Sequence, residues 1–169
     1  LEAELSKLFS NIYRYINFSI PNYFMMIANH FNVEPFNLFD LMNFGYDRNQ
    51  GLKNPGLTAG TCLRKDYGMI NENFPHTDLI LQAHKINEFM PMFIINLIKS
   101  KKIKNKTVGI LGYVFKKDTD DTRDSLSPKI YRYLSKLVPK NIYISDYNLS
   151  KGPYNDKENQ LSFKNLSEK

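Results

Sequence analysis

The sequence predicts an all-helical domain followed by a shorter α/β unit, a class written α + α/β. Three observations predict it. Apolar residues recur at helical spacing through the first hundred positions, the pattern changes class behind the basic segment "KSKKIKNK", and the part that follows reads strand, loop, helix, strand. With 169 residues, 42% of them hydrophobic, the chain is long and apolar enough to bury a core in one large or two small domains.

The first helix is predicted over residues 1–29, where Leu5, Leu8, Phe9, Ile12, Ile16 and Ile20 follow the three-and-four spacing of one buried face. Pro21 is expected to kink or break it, because proline lacks an amide hydrogen and its ring clashes with the preceding turn. A second helix is predicted over residues 35–44, carrying Phe36, Phe39, Leu41 and Met42, with Gly45 ending it. Residues 46–61, rich in Asn, Gly and Pro, read as a long loop. A short helix follows Cys62 to about Asn71, and a long one covers residues 76–100. The stripe of the long helix is Leu79, Ile80, Ala83, Ile86, Phe89, Met90, Phe93 and Leu97, with Pro91 inside it as an expected kink.

Behind the basic segment, "TVGILG" over 107–112 is a β-branched run ending in glycine and reads as a buried strand. "SPKIYRYLSKL" places Ser127 as N-cap and Pro128 in the first helical turn. "KNIYISD" is a second strand with Asp146 at its end, so this part is a βαβ unit with a parallel pair. The polar tail over 150–169 shows no further strand, and two strands with one helix leave a parallel sheet uncovered. The domains are therefore drawn at 1–103 and 104–169.

Composition narrows the function. The one cysteine excludes a disulfide within this chain and any Cys-based zinc site, and His30, His76 and His84 lie too far apart in sequence to suggest a metal. No stretch reaches the roughly 20 apolar residues of a membrane span, and residues 1–9 carry glutamates and a lysine where a signal peptide would be apolar, so a cytoplasmic protein is expected. The net charge of +6 fits nucleic acid, a phosphorylated small molecule or a lysine-rich surface. The glycines at 109 and 112 do not form the G-x-G-x-x-G dinucleotide fingerprint, and no other segment does.

Three constellations carry chemistry. Cys62 follows the small residues Ala59 and Gly60, which let backbone approach a ligand, and precedes Lys65, a cation able to stabilise a thiolate; a buried, inert cysteine is the other reading. "FKKDTDDTRDS" over 115–125 lies where a strand hands over to a helix, the usual ligand crevice of an α/β sheet, and reads equally as a solvated loop. Lys7 and Asn11 are four apart and share one helix face.

Taken together these segments resemble the UDP-glucose/GDP-mannose dehydrogenase family, over roughly residues 2–150 and in family order. "AELSKLFSN" resembles the A-E-L-x-K-x-x-x-N opening of the family's central helical domain, and "PGLTAGTCLRKD" resembles its cysteine loop. "GILGYVFKKDTDDTRDS" resembles the signature that opens its C-terminal nucleotide-binding domain. The loop carries one residue more than the common glycine-glycine form and is similar to a subgroup with "PGFxAGPCLxKD", which bears on the sugar.

The resemblance implies a helical central dimerisation domain followed by an incomplete Rossmann-like α/β domain. It also implies an NAD-dependent enzyme oxidising the C6 hydroxymethyl of a UDP-sugar, UDP-glucose or a UDP-N-acetylhexosamine, to a uronate. The implied catalytic residues are Cys62, Lys7, Asn11 and Asp66: Cys62 holds the aldehyde as a thiohemiacetal and then a thioester, Lys7 steadies the oxyanion, Asn11 holds water or the oxyanion, and Asp66 assists proton transfer. Lys65, Phe115, Lys116, Gly60 and Arg48, which stands 14 positions before the cysteine, are implied substrate contacts, and Arg123 a contact to the phosphates of NAD. A homodimer through residues near 1–30 and 76–100 is implied as well. The family's N-terminal NAD-binding domain is not in this sequence, so the bare chain is expected to be inactive.

Two other readings stay open. A two-electron hydroxyacid dehydrogenase of the 6-phosphogluconate type also uses a helical domain with a catalytic lysine, and needs no cysteine. A non-enzymatic basic module could bind nucleic acid through the lysines of residues 99–106, but no aromatic interleaving or docking motif accompanies them, so no nucleic-acid or membrane partner is expected.

Overall fold

The computed structural model describes residues 1–149 apart from 50, 59, 102, 104, 105, 139 and 140. The polar tail over 150–169 therefore lies outside the described residues, as does residue 104 at the expected domain boundary. The described residues form two compact units, one from residues 1–58 and 62–90 and the other from residues 60–61 and 91–149.

The first unit contains α1 (Glu2–His30), α2 (Pro35–Asn43), a 3-10 turn (Asp47–Asn49), α3 (Thr61–Asn73) and the start of α4 (Asp78–Ser100). α1 continues through Pro21, so of the expected kink or break the break does not occur. Proline inside a helix costs about 3 kcal/mol, and here both the ring and its neighbours Ser19 and Asn22 are buried, so packing holds the turn that the lost amide bond would have closed. α4 likewise passes through a buried Pro91. α2 packs on α1 and starts at Glu34, whose carboxylate accepts from the Asn37 N–H at 2.7 Å.

The expected buried face of α1 is only partly buried: Leu5, Leu8, Ile12 and Ile16 are half-buried. The buried residues of the helix are Tyr15, Ser19, Pro21, Asn22 and Ala28, whereas Phe9 is 59% and Ile20 38% exposed. Hydrophobic spacing locates an apolar stripe but not what covers it. On α1 the most buried side combines Tyr15, Pro21 and Ala28 with the polar Ser19 and Asn22, and the predicted stripe runs from half-buried to exposed.

The second unit contains the last part of α4, then β1 (Val108–Leu111), α5 (Ser127–Leu137) and β2 (Ile142–Ser145). β1 and β2 pair in parallel with Val108 opposite Ile142 and Leu111 opposite Ser145. α5 packs on β2, and Leu126, Ile130, Leu134, Val138, Ile142 and Ile144 form the core. The reading of β1 as a buried strand is corrected: it alternates between half-buried and exposed, ending in an exposed Leu111, because the buried face of the pair belongs to β2 under α5.

Ser127 is not the N-cap of α5. Leu126 occupies that position in a helical conformation, and Ser127 is already the first helical residue. The capping oxygen comes two residues earlier: the Ser125 hydroxyl donates to the Tyr113 carbonyl at 2.7 Å and accepts from the Ser127 N–H at 3.3 Å.

Candidate active site

The site in the first unit starts from two helices. α1 sets Lys7 and Asn11 one turn apart on one face, and α3 sets Cys62 in its first turn with Asp66 one turn later. Lys7 Nζ donates to Asp66 Oδ2 at 2.7 Å and Asn11 Nδ2 donates to the same oxygen at 2.6 Å. The structure thus joins Lys7 and Asn11 to a residue more than fifty positions away.

Asp66 is 1% exposed, while the Lys7 side chain is 59% exposed. Burial pushes the Asp66 carboxyl up, but the hydrogen bonds from Lys7 and Asn11 and the charges of Lys7 and Lys65 outweigh it and hold the group below the usual carboxylate range. Asp66 is therefore an anion at neutral pH. Its Oδ1 is buried with no hydrogen-bond partner in the protein among the described residues. Cys62 is exposed, at the end of α3 where backbone N–H groups and the helix dipole favour negative charge on a bound group.

The other residues singled out in the sequence are placed as follows. Lys65 is exposed on α3 beside Asp66, and Arg48 is exposed in the 3-10 turn. In the second unit Lys116 lies with its Nζ 5.5 Å from the centroid of the Phe115 ring. Gly60 has φ of +112°, which favours glycine, and a Cβ there would crowd the Phe115 ring at 3.3 Å. Arg123 is 81% exposed and held by the Asp121 carboxylate through Nε at 3.0 Å and an Nη at 2.9 Å.

Several residues that position the site carry no signal in the sequence. Asn22 on α1 and Asn87 on α4 are fully buried and hydrogen-bonded to each other at 3.0 Å. The Tyr15 hydroxyl is hydrogen-bonded to His84 Nδ1 at 2.9 Å, and Tyr67 stacks on the same imidazole with ring centroids 4.1 Å apart. Burial lowers the His84 pKa, and burial followed by the Glu88 charge raises that of Tyr15, so both stay neutral at pH 7. Arg64 on α3 grips Glu88 on α4 through both carboxylate oxygens. At the end of β2, Asp146 Oδ2 accepts from the N–H groups of Tyr113 at 2.6 Å and Val114 at 3.0 Å, so this carboxylate fixes the loop after β1.

The sequence profile of the UDP-glucose/GDP-mannose dehydrogenase family, central domain, matches residues 1–89. The chain belongs to this family. It is 32% identical over 148 residues to the UDP-N-acetyl-D-mannosamine dehydrogenase of Methanocaldococcus jannaschii, a match covering 86% of this chain and 33% of that one. Among solved structures, the UDP-D-ManNAc dehydrogenase from Pyrococcus horikoshii superposes with a TM-score of 0.69 at 29% identity, covering 86% of this chain and 36% of the other. The UDP-glucose dehydrogenase from Pyrobaculum islandicum gives a TM-score of 0.78 over 99% of this chain and 41% of its own, and at 24% identity that likeness speaks to fold. The chain spans about a third of the length of the curated relatives it matches. No described helix is long and apolar enough to cross a membrane.

Proposed function

We propose that this chain is the central domain, residues 1–103, and part of the nucleotide-binding domain, from residue 104, of an NAD-dependent nucleotide-sugar 6-dehydrogenase. The second domain on this reading is an incomplete Rossmann-like α/β unit. The substrate is a UDP-N-acetylhexosamine, a choice supported by the names of the most similar relatives and by the "TAGTCLRKD" form of the loop; UDP-glucose is the alternative. The observation that carries the reading is the buried Asp66 carboxylate, gripped by Lys7 and Asn11 one helical turn from an exposed cysteine.

Oxidising an alcohol to an acid removes two hydrides, and the aldehyde between them must not escape. In the proposed mechanism Cys62 Sγ adds to the aldehyde carbon, giving a thiohemiacetal whose oxyanion lies near the Lys7 ammonium. Loss of hydride from that carbon leaves a thioester on Cys62, and water cleaves it to the carboxylate and the free thiol. Asp66, ionised throughout, orients the water through Oδ1, while Asn11 holds the same carboxylate in place. Held below the usual carboxylate range, Asp66 is a proton acceptor at neutral pH and assists the transfer of the proton that this water releases.

NAD, when bound, supplies the hydride acceptor. The described residues fit one contact to it and no more: Arg123 presents an exposed guanidinium suited to a phosphate, in competition with Asp121, and no glycine fingerprint is present. Phe115, Lys116, Lys65, Gly60 and Arg48 are the proposed contacts to the nucleotide sugar.

A homodimer through the first unit belongs to the same proposal. Phe9, Tyr13, Ile16, Ile20, Tyr23 and Ile27 recur every four and three residues along α1, and all but the half-buried Ile16 are exposed. Such a stripe is the seam on which two helices pack. Beside it, Leu5, Phe9, Ile70, Phe74 and Leu79 line an apolar groove of about 540 Å³.

The test is Cys62→Ser in the full-length enzyme, with uronate followed by mass spectrometry. The reading expects no uronate; acid formed at the parent rate removes Cys62 from the mechanism.

A further inference from the structure

We propose that Asn22 and Asn87 are positioning residues for Cys62, forming a buried amide clamp on the loop that delivers the thiol. The inference rests on the reading of Cys62 as nucleophile. Neither side chain has exposed surface, and burying an amide costs a few kcal/mol unless its polar atoms are paired. Here they are paired, with the loop, with each other and with the α1 backbone.

Asn22 Oδ1 accepts from the Gly56 N–H at 2.8 Å, and Asn87 Oδ1 accepts from the Thr58 hydroxyl at 3.3 Å. Asn22 Nδ2 donates to Asn87 Oδ1 at 3.0 Å, and Asn87 Nδ2 donates to the Tyr15 carbonyl at 3.1 Å. These bonds leave each amide one orientation. Asn22 must present its oxygen to the Gly56 amide and its nitrogen to Asn87, and Asn87 must turn its oxygen toward Thr58.

The placement on α1 gives the clamp its function. The same helix holds the chain on both sides of Cys62: Asn22 grips position 56, six residues before it, and Lys7 with Asn11 grips Asp66, four residues after it. A helix is a rigid ruler, so the thiol is set relative to Lys7 and Asn11 by one element. The loop contains Gly56 and little regular structure of its own, and without the clamp its backbone has no other fixed anchor on α1 among the described hydrogen bonds.

The test uses the full-length enzyme with Thr58→Val, Thr58→Ser and the double variant Asn22→Leu/Asn87→Leu. Thr58→Val keeps the shape and removes only the bond to Asn87. It is expected to lower kcat about tenfold with KM within twofold, since small misplacement of a reacting group costs one to two orders of magnitude in rate. Thr58→Ser is expected to restore it, and the double variant, where it folds, to lose more than either. Unchanged kcat in Thr58→Val, or a loss that Thr58→Ser does not restore, overturns the proposal. The fate of the nucleophile reading is measured separately with Cys62→Ser. If that variant still makes uronate, hydrogen exchange at the Gly56 amide decides on the clamp alone: exchange faster by tenfold or more in the double variant supports it, and unchanged exchange overturns it.

Discussion

Replacing Lys7 by Met tests the electrostatics of the Asp66 site. The methionine keeps the length and packing of the lysine stem and removes the ammonium that donates to Asp66 Oδ2 at 2.7 Å. Asp66, 1% exposed, is left with Asn11 as its remaining side-chain donor. A hydrogen bond to a charged group contributes about 1.5–3 kcal/mol, and because Lys7 is 59% exposed, screening trims this to about 1–2 kcal/mol at neutral pH.

The pH dependence has a definite sign. A carboxylate whose folded pKa lies below its unfolded value of about 4 contributes stability above that pH and loses it as the pH falls through the folded value. Without Lys7 much of the depression goes, since the lysine supplies both a hydrogen bond and a charge. Urea unfolding of parent and Lys7→Met at pH 7 and pH 3 should therefore show a difference of about 1–2 kcal/mol that narrows in acid. A difference that is the same at both pH values, or larger at pH 3, refutes the assignment of Asp66 as an ionised, Lys7-supported group.

Other perturbations give sharp outcomes. Gly60→Ala forces a Cβ to 3.3 Å from the Phe115 ring at a φ of +112°, and should destabilise by about 1–3 kcal/mol in thermal unfolding; an unchanged midpoint means the loop is not held as described. Arg123→Ala in the full-length enzyme should raise KM for NAD several-fold with kcat little altered, and an unaltered KM removes Arg123 from the cofactor site. Tyr13→Asp with Tyr23→Asp, both on the exposed stripe of α1, should turn a dimer into monomers in sedimentation, whereas an unchanged mass moves the interface elsewhere.

Much of the architecture was legible because local patterns decide it. The spacing along α1 and α4, the β-branched run of β1 and the order strand, helix, strand depend on neighbours within a few residues. What failed depended on distant partners. The apolar stripe of α1 was visible, but the side that is buried is settled by Tyr15 meeting His84 and Asn22 meeting Asn87, each pair more than sixty positions apart. Pro21 was expected to kink or break the helix; buried among its neighbours, it does not end it. Ser127 had the right residue type for a cap, yet Ser125 does the capping because its hydroxyl also reaches the Tyr113 carbonyl across the loop.

The site shows the same division. Lys7 with Asn11, and Cys62 with Asp66, are one-turn pairs readable along the chain, and the motifs named the family. That Lys7 and Asn11 meet at one oxygen of Asp66 required α1 and α3 to come within side-chain reach of each other. Asn22 and Asn87 look like any other asparagine in a sequence rich in them, and only their burial gives them away.

The central claim is that one enzyme performs both oxidations on a substrate held by Cys62. Its most direct test is the amount of NADH formed per nucleotide sugar consumed by the full-length enzyme, across a panel of UDP- and GDP-sugars. Two NADH per sugar, with a UDP-N-acetylhexosamine as the preferred member and no uronate from Cys62→Ser, is the predicted result. One NADH per sugar, with an alcohol taken only to the carbonyl level, contradicts it.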